Sequence, residues 1–134
     1  MGQVIDTCVW IDHLRARTPE ATRRIADHAV HADDALLCEQ VRFELLCGAS
    51  RRERTPLLRR LATMPLLHTP PTLWREASDL AAKACDAGLH VPAMDLLIAT
   101  VCIHHDASLT TFDAHFGELA KLSELRVQLL VRPA

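Results

Sequence analysis

From Met94 to Ile103 the chain is apolar at every position except Asp95 and Thr100. A helix that is apolar all round has no face to offer water, so it must be enclosed by other elements. This one is expected to pack between a sheet and further helices. Short apolar runs at Gln3 to Ile5, Ala35 to Cys38, Leu66 to His68, Ser108 to Thr110 and Arg126 to Val131 read as the strands of that sheet. Helical segments separate them, which implies mostly parallel pairing with both faces covered. The expected architecture is α/β: a single α/β/α sandwich domain over residues 1–134 with a mostly parallel sheet of about five strands.

Helix boundaries follow from caps and breakers. A turn at Asp6 to Cys8 is expected to precede a first helix around Trp10 to Leu14. Thr18-Pro19 marks the start of a second that runs to about His31, with Thr18 as N-cap. Glu39 to Cys47 reads as a third, ending near Gly48. Thr55-Pro56 repeats the cap-then-proline signature, and Pro65 closes that helix. Pro70-Pro71-Thr72 opens a long helix that Gly88 terminates, and a short one is expected around Ala114 to Leu122.

The net charge of -2 gives no global pull toward a polyanion. Attraction to one must come from local basic surface, for which Arg51, Arg52, Arg54, Arg59 and Arg60 are the candidates. The five cysteines are odd in number, contain no Cys-x-x-Cys pair and lie mostly among apolar residues, as buried free thiols do. No basic-then-apolar leader and no membrane-length apolar run is present. These features predict a cytoplasmic protein with no membrane partner.

Four acids stand at the ends of apolar runs: Asp6, Glu44, Asp95 and Asp113. An unpartnered carboxylate removed from water costs several kcal/mol, so such positions usually answer to a cation, a donor cluster or a catalytic task. In a parallel sheet, ligands bind beyond the carboxyl ends of the strands. Asp6 follows the first strand, Asp113 follows the fourth, Asp95 lies in the first turn of the buried helix, and Glu44 lies in the helix after the second strand. Each also has a plain structural reading. Asp6 is a potential helix cap, Asp95 a complement to its helix dipole, Glu44 a solvated helix residue and Asp113 a turn residue.

Val4-Ile5-Asp6-Thr7-x-x-Trp10-Ile11-Asp12, Val41-x-x-Glu44-Leu45-x-x-Gly48, Asp95-x-Leu97-Ile98-Ala99 and Leu109-Thr110-Thr111-x-Asp113-x-x-Phe116 occur in that order. Together they resemble the PIN (PilT N-terminus) domain, and specifically the VapC type of toxin ribonuclease, over almost the whole chain. The resemblance implies that Asp6, Glu44, Asp95 and Asp113 form a catalytic acidic pocket binding Mg²⁺ or Mn²⁺. It also implies that Thr111 supports the pocket, with Thr7 and Asp12 as weaker supporting positions. At His115 the chain departs from the family, where another acid often precedes the Phe. The resemblance further implies RNA as substrate, a homodimer, and a cognate VapB-type antitoxin.

The chemistry gives such a pocket a reason. Two carboxylates about 4 Å apart repel by about 4 kcal/mol at an effective dielectric near 20, and a divalent cation reverses that balance. Rival functions fit less well. A haloacid-dehalogenase-type phosphatase needs a second Asp two residues after Asp6, where Cys8 stands. A cysteine phosphatase needs an Arg six residues after its Cys, and Leu14, Glu44, Glu53, Val91 and Ser108 fill those positions. The alternative that survives is a non-catalytic RNA- or protein-binding module on the same fold. Trp10, between Val9 and Ile11, reads as core, and His104-His105 reads as the solvated end of the buried helix.

Overall fold

The computed structural model describes residues 2–134. The elements run β1 (Gln3–Ile5), α1 (Thr7–Leu14), α2 (Glu20–Val30), β2 (Ala35–Cys38), α3 (Glu39–Gly48), α4 (Arg51–Leu61), β3 (Leu66–Leu67), α5 (Leu73–Asp86), α6 (Ala93–His104), β4 (Ser108–Thr111), α7 (His115–Ala120) and β5 (Val127–Leu129). The strands form one sheet in the order β3-β2-β1-β4-β5, and every pairing is parallel. β1 lies at its centre, with Val4 opposite Leu36 on one side and Leu109 on the other. Val4 and Ile5 are fully enclosed, as expected of a strand covered on both faces.

Helix α6 is the enclosed element that its composition requires. Ile98, Ala99, Thr100, Val101 and Cys102 are all buried. The one polar group in this stretch, the Thr100 hydroxyl, donates back to the Leu96 carbonyl at 2.7 Å. No helix among the described residues is long and apolar enough to cross a membrane. Trp10 is core, with no exposed surface. The cysteines divide against expectation: Cys38 and Cys102 are buried, Cys8 is half-buried, and Cys47 and Cys85 are exposed on the outer faces of α3 and α5.

Three helix starts differ from the sequence expectation. No turn separates β1 from α1; Asp6 is itself the N-cap, accepting from the Thr7 amide at 2.8 Å. Helix α2 starts at Glu20, with Pro19 rather than Thr18 at the cap and no side chain closing it. Helix α4 starts five residues before Pro56, because Ser50 and Glu53 form a reciprocal capping box. That box satisfies two free backbone amides at once, which outweighs the single hydrogen bond that Pro56 removes inside the helix. As a result, the whole arginine series lies on one continuous helix.

The C-terminus of α5 is closed as expected at Gly88. Its amide reaches the Cys85 carbonyl at 2.9 Å, and the Leu89 amide reaches the Ala84 carbonyl at 2.9 Å, the paired bonds of a Schellman motif. Gly88 adopts φ 77°, where a side chain is strained. Gly88→Ala is expected to lower stability by about 1 kcal/mol with an unchanged denaturant slope, measured by urea unfolding.

Candidate active site

The centre of the sheet is where chain order reverses: β1 is followed outward by β2 on one side and by β4 on the other. Such a switch point leaves a crevice beyond the carboxyl ends of the strands. Asp6 sits directly at the end of β1, tied to β4 by its amide bond to the Thr110 carbonyl at 2.9 Å. Asp6 as a whole is 5% exposed. Oδ1 accepts from the Thr7 amide, while Oδ2 accepts from Thr111 Oγ1 at 2.7 Å and from Cys8 Sγ at 3.3 Å. Three of its roughly four acceptor positions are thus filled from neighbouring chain, which fixes its direction.

Thr7 and Thr111 extend this arrangement to two further acids. Thr7 Oγ1 donates to Glu44 Oε1 at 2.6 Å, linking the start of α1 to the middle of α3. Thr111 Oγ1 also accepts from the Asp113 amide at 3.0 Å, setting the turn that carries Asp113. Asp95, in the first turn of α6, meets His115 Nε2 at 3.0 Å through Oδ2. The other ring nitrogen of His115, Nδ1, lies 2.7 Å from Asp113 Oδ1. When protonated, the ring therefore spans the two carboxylates as a donor to both.

The charges act on one another as one cluster. Burial pushes the Asp95 carboxyl above its ordinary value; the His115 hydrogen bond works against this, and the negative charges of Asp6 and Glu44 push it further up. The Cys8 thiol is raised to about 11, by burial first and then by the Asp6 charge, so it stays protonated at neutral pH and serves as a donor. The structure thus brings all four sequence-predicted acids together and adds Cys8 and His115. The sign available for Cys8 was its place two residues after Asp6 at a helix start. For His115 it was the substitution of an imidazole where an acid is usual.

Two expectations are corrected. Asp12 does not support the acids; it lies nearly two helical turns beyond Asp6 and pairs with Arg132 Nε at 2.8 Å. The basic series is also split. Arg51, Arg52, Arg54 and Arg59 are exposed on α4, but Arg60 lies with its guanidinium 5.3 Å from the centre of the Trp10 ring and donates to Thr63. It is a packing residue that covers the indole.

The donor set fits a divalent cation. Asp95, Asp113 and His115 each place a ligand atom within 4.8 Å of the others. Carboxylate oxygens suit Mg²⁺ or Mn²⁺, and the imidazole nitrogen favours Mn²⁺. Without a cation, the charge on Asp95 opposes folding. Its raised folded pKa gives a contribution that is favourable below the ordinary carboxylate range and is lost as pH rises through the folded value. Asp95→Asn is therefore expected to melt higher than the parent at pH 7 without metal, the difference vanishing near pH 3, measured by calorimetry.

Comparison with known proteins agrees with this geometry. Residues 4–122 match the PIN domain family. Ribonuclease VapC11 of Mycobacterium tuberculosis (strain ATCC 25618 / H37Rv) is 29% identical over 130 residues, covering 92% of this chain and 95% of its own length. Ribonuclease VapC19 of the same strain is 30% identical over 115 residues, covering 85% and 91%. The fold is shared with the structure of VapBC2 from Rickettsia felis bound to a DNA fragment from their promoter. There the TM-score is 0.76 at 17% identity, covering 97% of this chain and 99% of that one. The order of the acids along the chain, their meeting at the centre of a parallel sheet, and a match spanning nearly every element lead to one assignment: the chain belongs to the PIN domain family, among its VapC-type members.

Proposed function

We propose that this protein is a metal-dependent endoribonuclease, the toxin component of a VapBC-type toxin–antitoxin pair, acting in the cytoplasm. The observation that carries this reading is the convergence of Asp6, Glu44, Asp95 and Asp113 on one crevice, with Asp95 held above its ordinary pKa by burial and by its neighbours. The relatives named as VapC ribonucleases span nearly the whole chain and support RNA as substrate.

Asp6, Glu44, Asp95 and Asp113 would hold Mg²⁺ or Mn²⁺, and His115, whose ligand nitrogen lies within 4.8 Å of the ligand oxygens of Asp95 and Asp113, would join them. When bound, the cation neutralises phosphate charge and makes water more acidic. The chain's own residues supply the rest. Thr7 and Thr111 fix the carboxylate directions, so the site is formed before RNA arrives. Cys8 covers one Asp6 oxygen and limits the directions in which that acid can bind. Arg51, Arg52, Arg54 and Arg59 offer exposed guanidinium groups for the RNA backbone. Water attacks phosphorus and the 3′ oxygen leaves, so the products carry a 5′-phosphate and a 3′-hydroxyl.

The antitoxin would work on the same electrostatics. A basic side chain placed among these acids, especially an arginine, satisfies carboxylates through paired hydrogen bonds and displaces the cation. The active protein is proposed to be a homodimer, and its complex with a VapB-like partner is expected to be inactive on RNA.

Cleavage of total RNA in Mg²⁺ or Mn²⁺ tests the proposal. EDTA or Asp95→Asn should abolish cleavage with folding retained, and products with 2′,3′-cyclic phosphate ends would overturn the mechanism. Thr111→Val should lower metal affinity or activity by about 10–100-fold, because Asp6 loses its buried donor. Replacing Arg51, Arg52, Arg54 and Arg59 with Ala should flatten the dependence of RNA affinity on salt by about 0.7 log units for each phosphate no longer neutralised; an unchanged slope would place RNA elsewhere.

A further inference from the structure

The fold builds a second cluster of metal-type donors that shares none of these acids. His68 follows the edge strand β3, while His104 and His105 lie at the C-terminal end of α6. A ring nitrogen of each falls within 4.8 Å of one from each of the others. The rings meet edge to face, with centroids 4.5 Å apart for His68 and His105, 5.1 Å for His104 and His105, and 6.2 Å for His68 and His104.

Two of the rings are oriented by protein oxygens. His104 Nδ1 lies 3.2 Å from Glu76 Oε1 on α5, and His105 Nε2 lies 2.8 Å from the His68 carbonyl. Each of these rings also carries a second nitrogen that neither contact uses. A carboxylate or carbonyl behind a histidine is the usual support of a metal-bound imidazole, because it fixes the tautomer and strengthens the donor. Three imidazolium charges at this spacing would repel, whereas three neutral rings attract one dication.

We propose that His68, His104 and His105 form a second metal site, for Zn²⁺ or another nitrogen-preferring first-row dication such as Ni²⁺ or Cu²⁺, with Glu76 orienting His104. The chemistry differs from that of the acidic pocket: imidazole suits these ions, whereas Mg²⁺ requires oxygen ligands. The site joins two parts of the chain distant in sequence, His68 on one side and the adjacent His104 and His105 on the other. An ion there clips the two-residue strand β3 and the start of the segment leading to α5 onto the end of the buried helix α6.

The test uses the full chain carrying Asp95→Asn and His115→Ala, so that the acidic pocket no longer competes. Titration with Zn²⁺ should show one ion bound per chain with micromolar affinity and a rise in melting temperature, while Mg²⁺ gives neither. Adding His68→Ala or His104→Ala should weaken Zn²⁺ binding by about tenfold or more. Circular dichroism checks that each variant folds, and His105→Asn replaces any that does not. In the otherwise unmodified chain, His104→Ala should leave Mg²⁺-supported RNA cleavage unchanged, which separates this site from the nuclease reading. Zn²⁺ affinity unaffected by the histidine substitutions, or absent in the pocket-disabled chain, would overturn the proposal.

Discussion

The hydrogen bond from Thr111 Oγ1 to Asp6 Oδ2 joins the two central strands at the point where their side chains leave the sheet. Both residues are almost wholly buried, so the bond forms in a medium where an unsatisfied carboxylate would be costly. Much else is positioned from it. Thr111 also accepts the Asp113 amide, and Asp6 caps α1, whose first residue holds Glu44. Fold and pocket therefore share atoms: the same carboxylate closes a helix, meets a neighbouring strand and directs the remaining oxygen surface toward the crevice.

The other acids stand in a different relation to the fold. Asp95 is half-buried without a comparable set of neutral donors, and it feels Asp6 and Glu44 as like charges. His115 opposes that repulsion from within the pocket, lying between Asp95 and Asp113. An imidazole in this place makes the cluster less anionic than four or five carboxylates would be. It also gives the site a nitrogen donor, which shifts metal preference toward ions softer than Mg²⁺. Electrostatic tension in the pocket and affinity for a cation are thus two aspects of one arrangement.

The fold was legible where pattern and packing agree. The apolar surround of Ile98 to Cys102, the strand at Ala35 to Cys38 and the glycine stop at Gly88 each correspond to a local requirement the chain expresses directly. The start of α4 was not, because a proline after a threonine is a stronger visual sign than the Ser50–Glu53 box that forms there. The acids were legible as exceptions to hydrophobic runs. Their partners were harder to read, since Thr7 to Glu44, Thr111 to Asp6 and His115 to Asp95 cross between elements. Asp12 misled for the complementary reason: neighbourhood in sequence does not survive two turns of helix, and Arg132 takes it. The histidine cluster escaped any spacing rule because His68 reaches His105 from a different strand-to-helix connection.

The central place of β1 has a further consequence. One of its two sheet neighbours, β4, is separated from it by most of the chain. Asp6 gains its Thr111 donor, and Asp95 gains the bridge to Asp113, only when residues 108–115 have inserted beside β1. Until then the acids are scattered along the polypeptide. Assembly of the pocket is therefore coupled to the pairing of β1 with β4, a contact of high sequence separation, and no shorter stretch of the chain holds the acids together.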